Sequence, residues 1–482
     1  MASTQPVSPA VQDYLATVEY AVSQIIDPAT GRSVQIPDFS ALCEAAAGLD
    51  STPHATDFMF VIQALLGRAG CVDFQAPGSD DALSFPRDHH LHPSMGEEWY
   101  YVGCHMNVRD QNGKAGRLSV LLSMQRTRAI GLKAQRVAEW ADTQATLATN
   151  VVNVVVDMGP GNRNIYRRNR NLQWPMKGGV VNFSVPGDDA FHFQCGSDTL
   201  SGPLDVLPLC VRVEDGDNMQ LDLVLTNSMA FAVASSFFLQ GVPISSGNGG
   251  TGFTPIPKPG IYYSWPQLVV SGSVKVGGNS YSVASGSGWI DHQVMMTSLQ
   301  NPNNAIHPVP FVEDPAPYNA WIWQCYNLDN GQAFTGAGFI EGPMNDSPAI
   351  NYGYYLVPKN GAWNAIYITT GASDLLCPNR FPAIVGRSGP GVPVVDIPIV
   401  WTYRKVENAQ LGNPLAGVAT PWYSDGTFNN ANWTICAEFP ADYTDMSGNY
   451  ANGLGYMESV GFESVVAYRE RALNYLKTGT MR

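Results

Sequence analysis

The chain has 482 residues, of which 14% are charged, and its formal net charge is −14. This acidic balance argues against a nucleic-acid partner, because such a partner requires a basic face that displaces the counterions of the phosphate backbone. The 47 glycines and the 11% of aromatic residues are typical of many short strands joined by tight turns, so we expect a mainly β fold.

Other compositional features narrow the class of protein further. The sequence has no run of eighteen apolar residues, so we expect no membrane span. Its start, MASTQPVSPAVQDYL, has neither the basic nor the apolar region of a signal peptide, which favours the cytoplasm unless such a segment was removed. The eight cysteines form no CxxC pair, and the glycines form no phosphate-binding loop. We therefore expect no bound cofactor.

Residues 1–80 differ from the rest of the chain and predict a small helical N-terminal extension. Apolar residues between positions 10 and 26, and again between 58 and 66, fall at helical spacing. A further amphipathic helix is predicted between Arg128 and Leu147, and a C-terminal helix over Phe462–Lys477. These helices are expected to pack on the outside of a β body.

The segment from Phe85 to Met106 is dense in residues that can carry chemistry. It contains four of the eight histidines, His89, His90, His92 and His105, together with several acids and aromatic residues. The spacing His90-x-His92-x4-Glu97 is close to the first cupin motif, in which two imidazoles and a carboxylate hold an iron-type ion. The second half of that motif is missing, so a cupin-like metal oxygenase is the minor alternative.

Several stretches beyond that segment read as antiparallel strands separated by Gly, Asn and Asp turns: 118–124, 151–156, 180–185 and 221–225. Residues 245–260 are rich in Gly, Ser and Pro and predict a linker. This places a helical extension at 1–80, a first β domain at 81–250 and a second β domain with the C-terminal helix at 256–482.

The stretch from Val274 to Gln293 predicts a β-hairpin. Alternating apolar residues flank Gly277-Gly278-Asn279, and the return strand ends on Trp289, Asp291 and His292. An acid and an imidazole at a strand end are either a functional pair or a polar turn at the rim of a sheet.

Five segments in the same order resemble those of one family: FPRDHHLHP…EEWYY, YYSWPQLVVSG, SGSGWIDHQ, WIW with the following Leu328-Asp329-x-Gly331, and GLGYMESVGF. The resemblance is to the carotenoid 1,2-hydratase (hydroxyneurosporene synthase) family and its lipocalin-like relatives, over about residues 85–465. It implies two lipocalin-like antiparallel β domains with an apolar pocket near their interface. Members include hydratases of isoprenoid double bonds and fungal Diels-Alderases, so the fold alone does not choose the chemistry.

In that resemblance Asp291 matches the proton donor of the hydratases, and Trp289 stands where the carotenoid enzymes carry another aromatic residue. A carboxylic acid kept protonated by an apolar pocket can protonate an alkene, and the reverse reaction dehydrates a tertiary alcohol. The candidate catalytic residues are Asp291, His292, Asp88 and His92. The candidate substrate-binding residues are Tyr262, Tyr263, Trp265, Trp289, Trp99, Tyr100 and Trp323, each of which can instead serve core packing.

The leading hypothesis is a cofactor-independent hydratase or dehydratase that acts on a hydrophobic, isoprenoid-like small molecule, which it could also take up at a membrane surface. The alternatives are a cyclase of the Diels-Alderase kind, in which pocket shape and hydrogen bonds act without proton transfer, and a non-catalytic carrier of a hydrophobic ligand. Substrate identity and oligomeric state are not legible in the sequence.

Overall fold

The structure is a computed structural model of the chain. It describes residues 26–27, 31–33, 84–92, 97–127, 149–160, 165–173, 181–228, 238–239, 260–295, 320–340, 348–368, 377–379, 400–406, 410–413, 415–422, 427–428 and 436–460. Within these ranges the only helix is a single 3₁₀ turn, Arg87–His89. No described helix is long and apolar enough to cross a membrane.

The helices predicted from the sequence are not confirmed. In the N-terminal extension the described residues form a two-stranded ladder, in which β1 (Ile26–Asp27) pairs with β2 (Arg32–Ser33). Ile26, which belongs to the helical apolar pattern, therefore lies in a strand. The helices predicted between Arg128 and Leu147 and over Phe462–Lys477 lie outside the described residues.

The larger sheet is antiparallel and has twelve strands in the described part of the chain. Its order is β6-β5-β4-β3-β14-β13-β11-β10-β9-β8-β7, with β12 paired to β13. The strands are β3 (Glu97–Asp110), β4 (Ala115–Thr127), β5 (Thr149–Asp157), β6 (Ile165–Gln173), β7 (Val181–Phe183), β8 (Ala190–Cys195), β9 (Asp198–Pro203), β10 (Leu209–Asp215), β11 (Met219–Asn227), β12 (Phe238–Leu239), β13 (Gly260–Val276) and β14 (Asn279–Met295).

The smaller sheet, also antiparallel, has ten described strands in the order β18-β17-β16-β15-β24-β23-β21-β20-β19, with β22 paired to β23. The strands are β15 (Ala320–Leu328), β16 (Ala333–Ile340), β17 (Pro348–Lys359), β18 (Ala362–Ile368), β19 (Cys377–Asn379), β20 (Val400–Val406), β21 (Leu415–Pro421), β22 (Thr427–Phe428), β23 (Cys436–Asp445) and β24 (Gly453–Val460).

Alternation of apolar and polar residues gives each sheet one face that can be buried in its own core. In β11, for example, Met219, Leu221, Leu223 and Leu225 are buried, whereas Gln220 and Asp222 are exposed. Each sheet is a curled half-barrel, and the apolar residues on its inner face form a separate core. The expectation of a mainly β, lipocalin-like fold is confirmed.

The hairpin of β13 and β14 forms as predicted, with a two-residue turn at Gly277-Gly278. Val276 pairs with Asn279, and both glycines have positive φ, as the tight turn requires. The hairpin pairs with β3 and β11 and so belongs to the first sheet. The predicted division at 250–256 assigned it to the second β domain, whereas the strands change sheet only between β14 and β15.

Polar side chains and a close approach of two strands are among the contacts between the two sheets. Pro266 cannot donate a ladder hydrogen bond, and the register slips here. The neighbouring Gln267 (φ 56°) donates its backbone N–H to Asn327 Oδ1 at 2.9 Å. At Gly103 an added Cβ would lie 2.4 Å from the ring of Tyr456. Glycine at this position therefore lets β24 approach β3 closely.

Candidate functional site

Asp291 and His292 are neighbours in β14 but point to opposite faces of the first sheet. Successive side chains of a strand alternate in direction, and the cross-strand partners confirm the two rows. Asp291 lies between Ser264 and Tyr101, whereas His292 lies between Tyr263 and Tyr100. The predicted acid and imidazole therefore belong to two different buried clusters. We call them the Asp291 cluster and the His292 cluster.

The Asp291 carboxyl is held by uncharged donors from its own hairpin. Trp289 Nε1 donates to Oδ1 at 2.7 Å, the Tyr262 hydroxyl donates to Oδ2 at 3.2 Å, and the Ser264 hydroxyl also donates to Oδ1. Only 3% of Asp291 is exposed. These residues recur two apart in β13 and in β14, which is the period that brings side chains to one face.

The electrostatic consequence is a carboxyl that keeps its proton near neutral pH. Burial, which disfavours the charged form, raises the pKa of Asp291 from 3.8 to about 7, although the hydrogen bonds from Ser264, Trp289 and Tyr262 act in the opposite direction. The negative charge of Glu458, in β24 of the other sheet, raises this pKa further. Asp291 is thus poised to exchange a proton at physiological pH.

The second sheet faces the Asp291 cluster with aromatic and acidic side chains. The Tyr101 hydroxyl donates to Glu438 Oε2 at 2.5 Å, and the Tyr101 ring packs edge-on against Trp323 with centroids 5.4 Å apart. Trp323 is buried, and its Nε1 has no hydrogen-bond partner among the described residues. Asp291 consequently lies between the two sheets, among aromatic rings.

The His292 cluster is built on charge pairing inside the first sheet. His292 Nε2 and His92 Nδ1 both contact Glu98 Oε1, at 2.8 and 3.0 Å. The backbone N–H of His92 donates to Glu98 Oε2 at 2.7 Å. Burial raises the pKa of Glu98, but the two histidines outweigh it and lower that pKa to about 2. Glu98 is therefore a buried carboxylate with two imidazole partners.

The same cluster continues through a tyrosine and a second acid. The Tyr263 hydroxyl lies 2.6 Å from His292 Nδ1 and 2.8 Å from His89 Nδ1, and the Tyr100 ring stacks on His292 at 4.0 Å. His92 Nε2 lies 3.5 Å from Asp88 Oδ1. Burial disfavours the imidazolium of His92, yet the Glu98 and Asp88 carboxylates raise its pKa to about 9. His92 is therefore protonated at neutral pH.

Three side chains of the His292 cluster lie close enough together to hold a metal ion. Ligand atoms of His92, Glu98 and His292 lie within 4.8 Å of one another, and two imidazoles with one carboxylate suit a divalent transition metal. In this structure, however, the three groups satisfy one another as a hydrogen-bonded ion pair. Of the residues in the cupin-like spacing, His92 contacts Glu98 and His292, and both ring nitrogens of His90 lack hydrogen-bond partners among the described residues. The side chain of Glu97 lies outside the described part of the structure.

The predicted site residues are thus divided between the two faces of the first sheet. On the Asp291 side lie Tyr262, Trp289 and the half-buried Trp99, with Trp323 contributed by the second sheet. On the opposite side lie His292, His92, Asp88, Tyr263, Trp265 and Tyr100, where the aromatic residues pack in or beside the core. The structure does not bring His292, His92 or Asp88 next to Asp291.

Four residues of these clusters were not singled out as site residues by sequence reasoning: Ser264, Tyr101, Glu98 and Glu438. Ser264 and Tyr101 were within reach, since strand alternation around Asp291 selects them once the register is known. Glu98 stood in the acidic-aromatic segment EEWYY, where only Glu97 belongs to the cupin-like spacing. Glu438 carries no local signal, because it is 147 residues from Asp291 and belongs to the other sheet.

The fold and the site define a lipocalin-like protein of two half-barrel sheets with a buried carboxyl between them. Neither a protein-family model nor a curated protein sequence matches the chain. Among solved structures, it is similar to a candidate AttH of Nitrosomonas europaea, with a TM-score of 0.55 and 20% identity over 81% of this chain and 100% of that one. This likeness is one of fold.

Two further solved structures align over most of the chain. Kievitone hydratase from Nectria haematococca gives a TM-score of 0.49 and 11% identity, over 82% of this chain and 97% of the other. CghA gives a TM-score of 0.43 and 10% identity, over 81% and 96%.

Proposed function

We propose that this protein is an enzyme that transfers a proton to or from a hydrophobic alkene or tertiary alcohol, with Asp291 as general acid and base. The observation that carries the proposal is a buried carboxyl whose pKa is raised to about 7 and which is held by three uncharged donors. Perturbed carboxyls with defined partners are concentrated at functional sites. The proposed activity is that of a cofactor-independent hydratase or dehydratase.

The contacts of Asp291 suit both halves of a proton transfer. Protonated Asp291 can deliver its proton to an alkene carbon, which leaves a tertiary carbocation and a carboxylate. Trp289, Ser264 and Tyr262 already donate to the carboxyl oxygens, so they stabilise the carboxylate that this step produces. In the opposite direction, the carboxylate removes a proton from the carbon next to a departing hydroxyl group.

The aromatic residues around Asp291 suit a cationic intermediate. A cation over an aromatic face gains about 0.5–2 kcal/mol, and Trp289, Tyr262, Tyr101 and Trp323 lie on the two facing surfaces. Such a lining favours an apolar, isoprenoid-like substrate that lies between the sheets.

A pericyclic cyclase is the second candidate, and the observation in its favour is Trp323. The buried Nε1 of Trp323, which has no hydrogen-bond partner in the described part of the chain, is suited to a carbonyl oxygen of a diene or dienophile substrate. Such a catalyst positions its substrate and needs no proton transfer. A non-catalytic carrier of a hydrophobic ligand would also use the apolar surfaces but would not need a carboxyl with a raised pKa.

The test is the substitution Asp291→Asn, assayed with acyclic isoprenoid alkenes in H₂¹⁸O. We expect the wild type to incorporate ¹⁸O as a tertiary alcohol and the variant to lose about 10²–10⁴-fold in rate. Asp222→Asn, which alters an exposed carboxylate of the same sheet, is the matched control and should retain the wild-type rate. Full activity of Asp291→Asn on a converted substrate contradicts proton transfer and favours the cyclase. Binding without turnover by the wild type favours the carrier.

A further inference from the structure

The second sheet contributes a second acid, Glu438, which contacts the cross-strand partner of Asp291 and was not part of the function proposed so far. Tyr101 is the cross-strand partner of Asp291, on the same face of the first sheet, and directly opposed side chains of a strand pair lie about 5 Å apart. The Tyr101 hydroxyl donates to Glu438 Oε2 at 2.5 Å. Glu438 belongs to β23 of the other sheet, so this hydrogen bond joins the two sheets next to Asp291.

Burial of an acidic side chain such as that of Glu438 is energetically unfavourable. Glu438 is 4% exposed and lies directly opposite Glu458 in the neighbouring strand, and like charges placed opposite one another in a sheet are destabilising. Trp323 is the neighbour of Glu458 on the other side. A buried acid that is hydrogen-bonded to a buried tyrosine is a candidate for an acid-base role.

We propose that Tyr101 is a catalytic residue that relays a proton between the reacting water and Glu438, which orients Tyr101 and receives that proton. This inference rests on the proposed function of Asp291. Hydration requires two proton transfers, one to the alkene carbon and one from the attacking water, and Asp291 supplies only the first. Tyr101 and Glu438 supply the second.

The steps balance in both directions. In hydration, Asp291 gives its proton to carbon, the π bond breaks and a C–H bond forms. Water oxygen then adds to the cation, and one water proton passes to the Tyr101 oxygen while the Tyr101 proton passes to Glu438. One water has then been added, Asp291 has lost a proton and Glu438 has gained one, and exchange with solvent restores both. In dehydration, Glu438 protonates the departing hydroxyl through Tyr101, and Asp291 accepts the proton from carbon.

Trp323 fixes where the water or hydroxyl oxygen lies. Its ring packs against Tyr101 at 5.4 Å, and its buried Nε1 has no hydrogen-bond partner among the described residues. A buried N–H donor without an acceptor is costly, and an oxygen held between this N–H and the Tyr101 hydroxyl would satisfy it. The oxygen would then sit on the second-sheet side of the substrate, opposite the carboxyl of Asp291.

The experiment compares Tyr101→Phe, Glu438→Gln and their double variant in the ¹⁸O assay across pH. We expect each single variant to lower kcat by about 10²-fold with KM within about twofold of the wild type, and the double variant to be no slower than either single one, because the residues act as one relay. The acidic limb of the pH profile, where protonation of Glu438 stops the relay, should disappear in Glu438→Gln. Glu438→Asp should recover part of the rate.

Asp442→Asn is the matched control, because Asp442 lies on the same strand as Glu438 but forms a half-exposed ion pair with Arg117 at 3.2 Å. Its rate should equal that of the wild type.

The relay is overturned by wild-type kcat in Tyr101→Phe and Glu438→Gln, by an effect on KM alone, or by additive losses in the double variant. If Asp291→Asn is inactive while these variants are active, only this inference fails. If Asp291→Asn is itself active, the proposed function fails. Should Glu438→Gln not fold, Tyr101→Phe and Glu438→Asp decide the question alone.

Discussion

Asp291 and Glu98 are two carboxyls of the first sheet that are almost completely removed from water, at 3% and 0% exposure, yet their pKa values move in opposite directions. Burial dominates at Asp291, where all the hydrogen-bond donors are uncharged, and its pKa rises to about 7. At Glu98 burial is outweighed by His92 and His292, and the pKa falls to about 2. The partners, and not the depth of burial, therefore decide whether a buried acid keeps a proton or a charge.

This difference separates a reactive group from a structural one. Glu98 is ion-paired with His92 and hydrogen-bonded to His292, and a carboxylate held in this way cannot give up a proton near neutral pH, because it does not carry one. A neutral carboxyl between aromatic rings can. The two clusters share the strand β14, so one strand contributes to the stability of the first sheet through His292 and to the proposed chemistry through Asp291.

Removal of the charge at Glu98 should give the largest effect on stability. Glu98→Gln removes one of the two carboxylates that neutralise the buried imidazolium of His92. Breaking a buried ion pair in this way lowers the free energy of unfolding by about 3–5 kcal/mol. Asp291→Asn, at a carboxyl of similar burial, should cost less than about 2 kcal/mol, because the three side chains that donate to Asp291 are uncharged and no buried ion loses its partner. Urea unfolding at pH 7 measures both. Equal losses in the two variants would contradict the distinction between the clusters.

The titration of Asp291 should make the free energy of unfolding depend on pH. Its folded pKa is raised, so between pH 3.8 and about 7 the folded state retains a proton that the unfolded state has released, and stability falls as the pH rises through this window. The contribution is about 2–4 kcal/mol. Urea unfolding of the wild type and Asp291→Asn from pH 4 to pH 8 should show this decline only in the wild type. A constant difference between the two proteins would refute the raised pKa.

Tyr456→Phe should affect the Asp291 cluster and spare the His292 cluster. The Tyr456 hydroxyl lies 2.6 Å from Ser119 Oγ and 2.9 Å from the carbonyl oxygen of Cys104, so its loss weakens the contact between the sheets by about 1–2 kcal/mol. We expect the imidazole NMR signals of His92 and His292 to stay in place while the carboxyl signal of Asp291 shifts. Movement of the imidazole signals would show that the clusters are coupled.

The smallest effect is expected at Ser264. The Ser264 hydroxyl donates to Asp291 and favours its charged form, so Ser264→Ala should raise the Asp291 pKa by less than about one unit. Titration of the ¹³C carboxyl resonance measures this change directly. Ser282→Ala, at an exposed serine of β14, the strand of Asp291, provides the control, and an equal shift of the Asp291 pKa in that variant would mean that the Ser264 hydrogen bond is not the cause.

The sequence by itself determined the class of fold and one end of the site. The apolar stretches at 118–124, 151–156, 180–185 and 221–225 predict β4, β5, β7 and β11. The pair Gly277-Gly278 predicts the turn that joins β13 and β14, and Trp289 and Asp291 stand two residues apart on the returning strand. The same two-residue period also implies that Asp291 and His292 diverge, and the assignment of both to one site overlooked it.

Only the tertiary structure decided which sheet the hairpin joins and what each buried acid meets. The linker composition at 245–260 placed β13 and β14 in the second domain, but hydrogen bonds to β3 and β11 place them in the first sheet, since strand pairing follows register and not proximity in the chain. Glu98 contacts His292, which is 194 residues away in the sequence, and Tyr101 contacts Glu438, which is 337 residues away. Such contacts depend on which strands pair and on how the two sheets pack against each other. The local pattern of residues in the sequence contains no information on either.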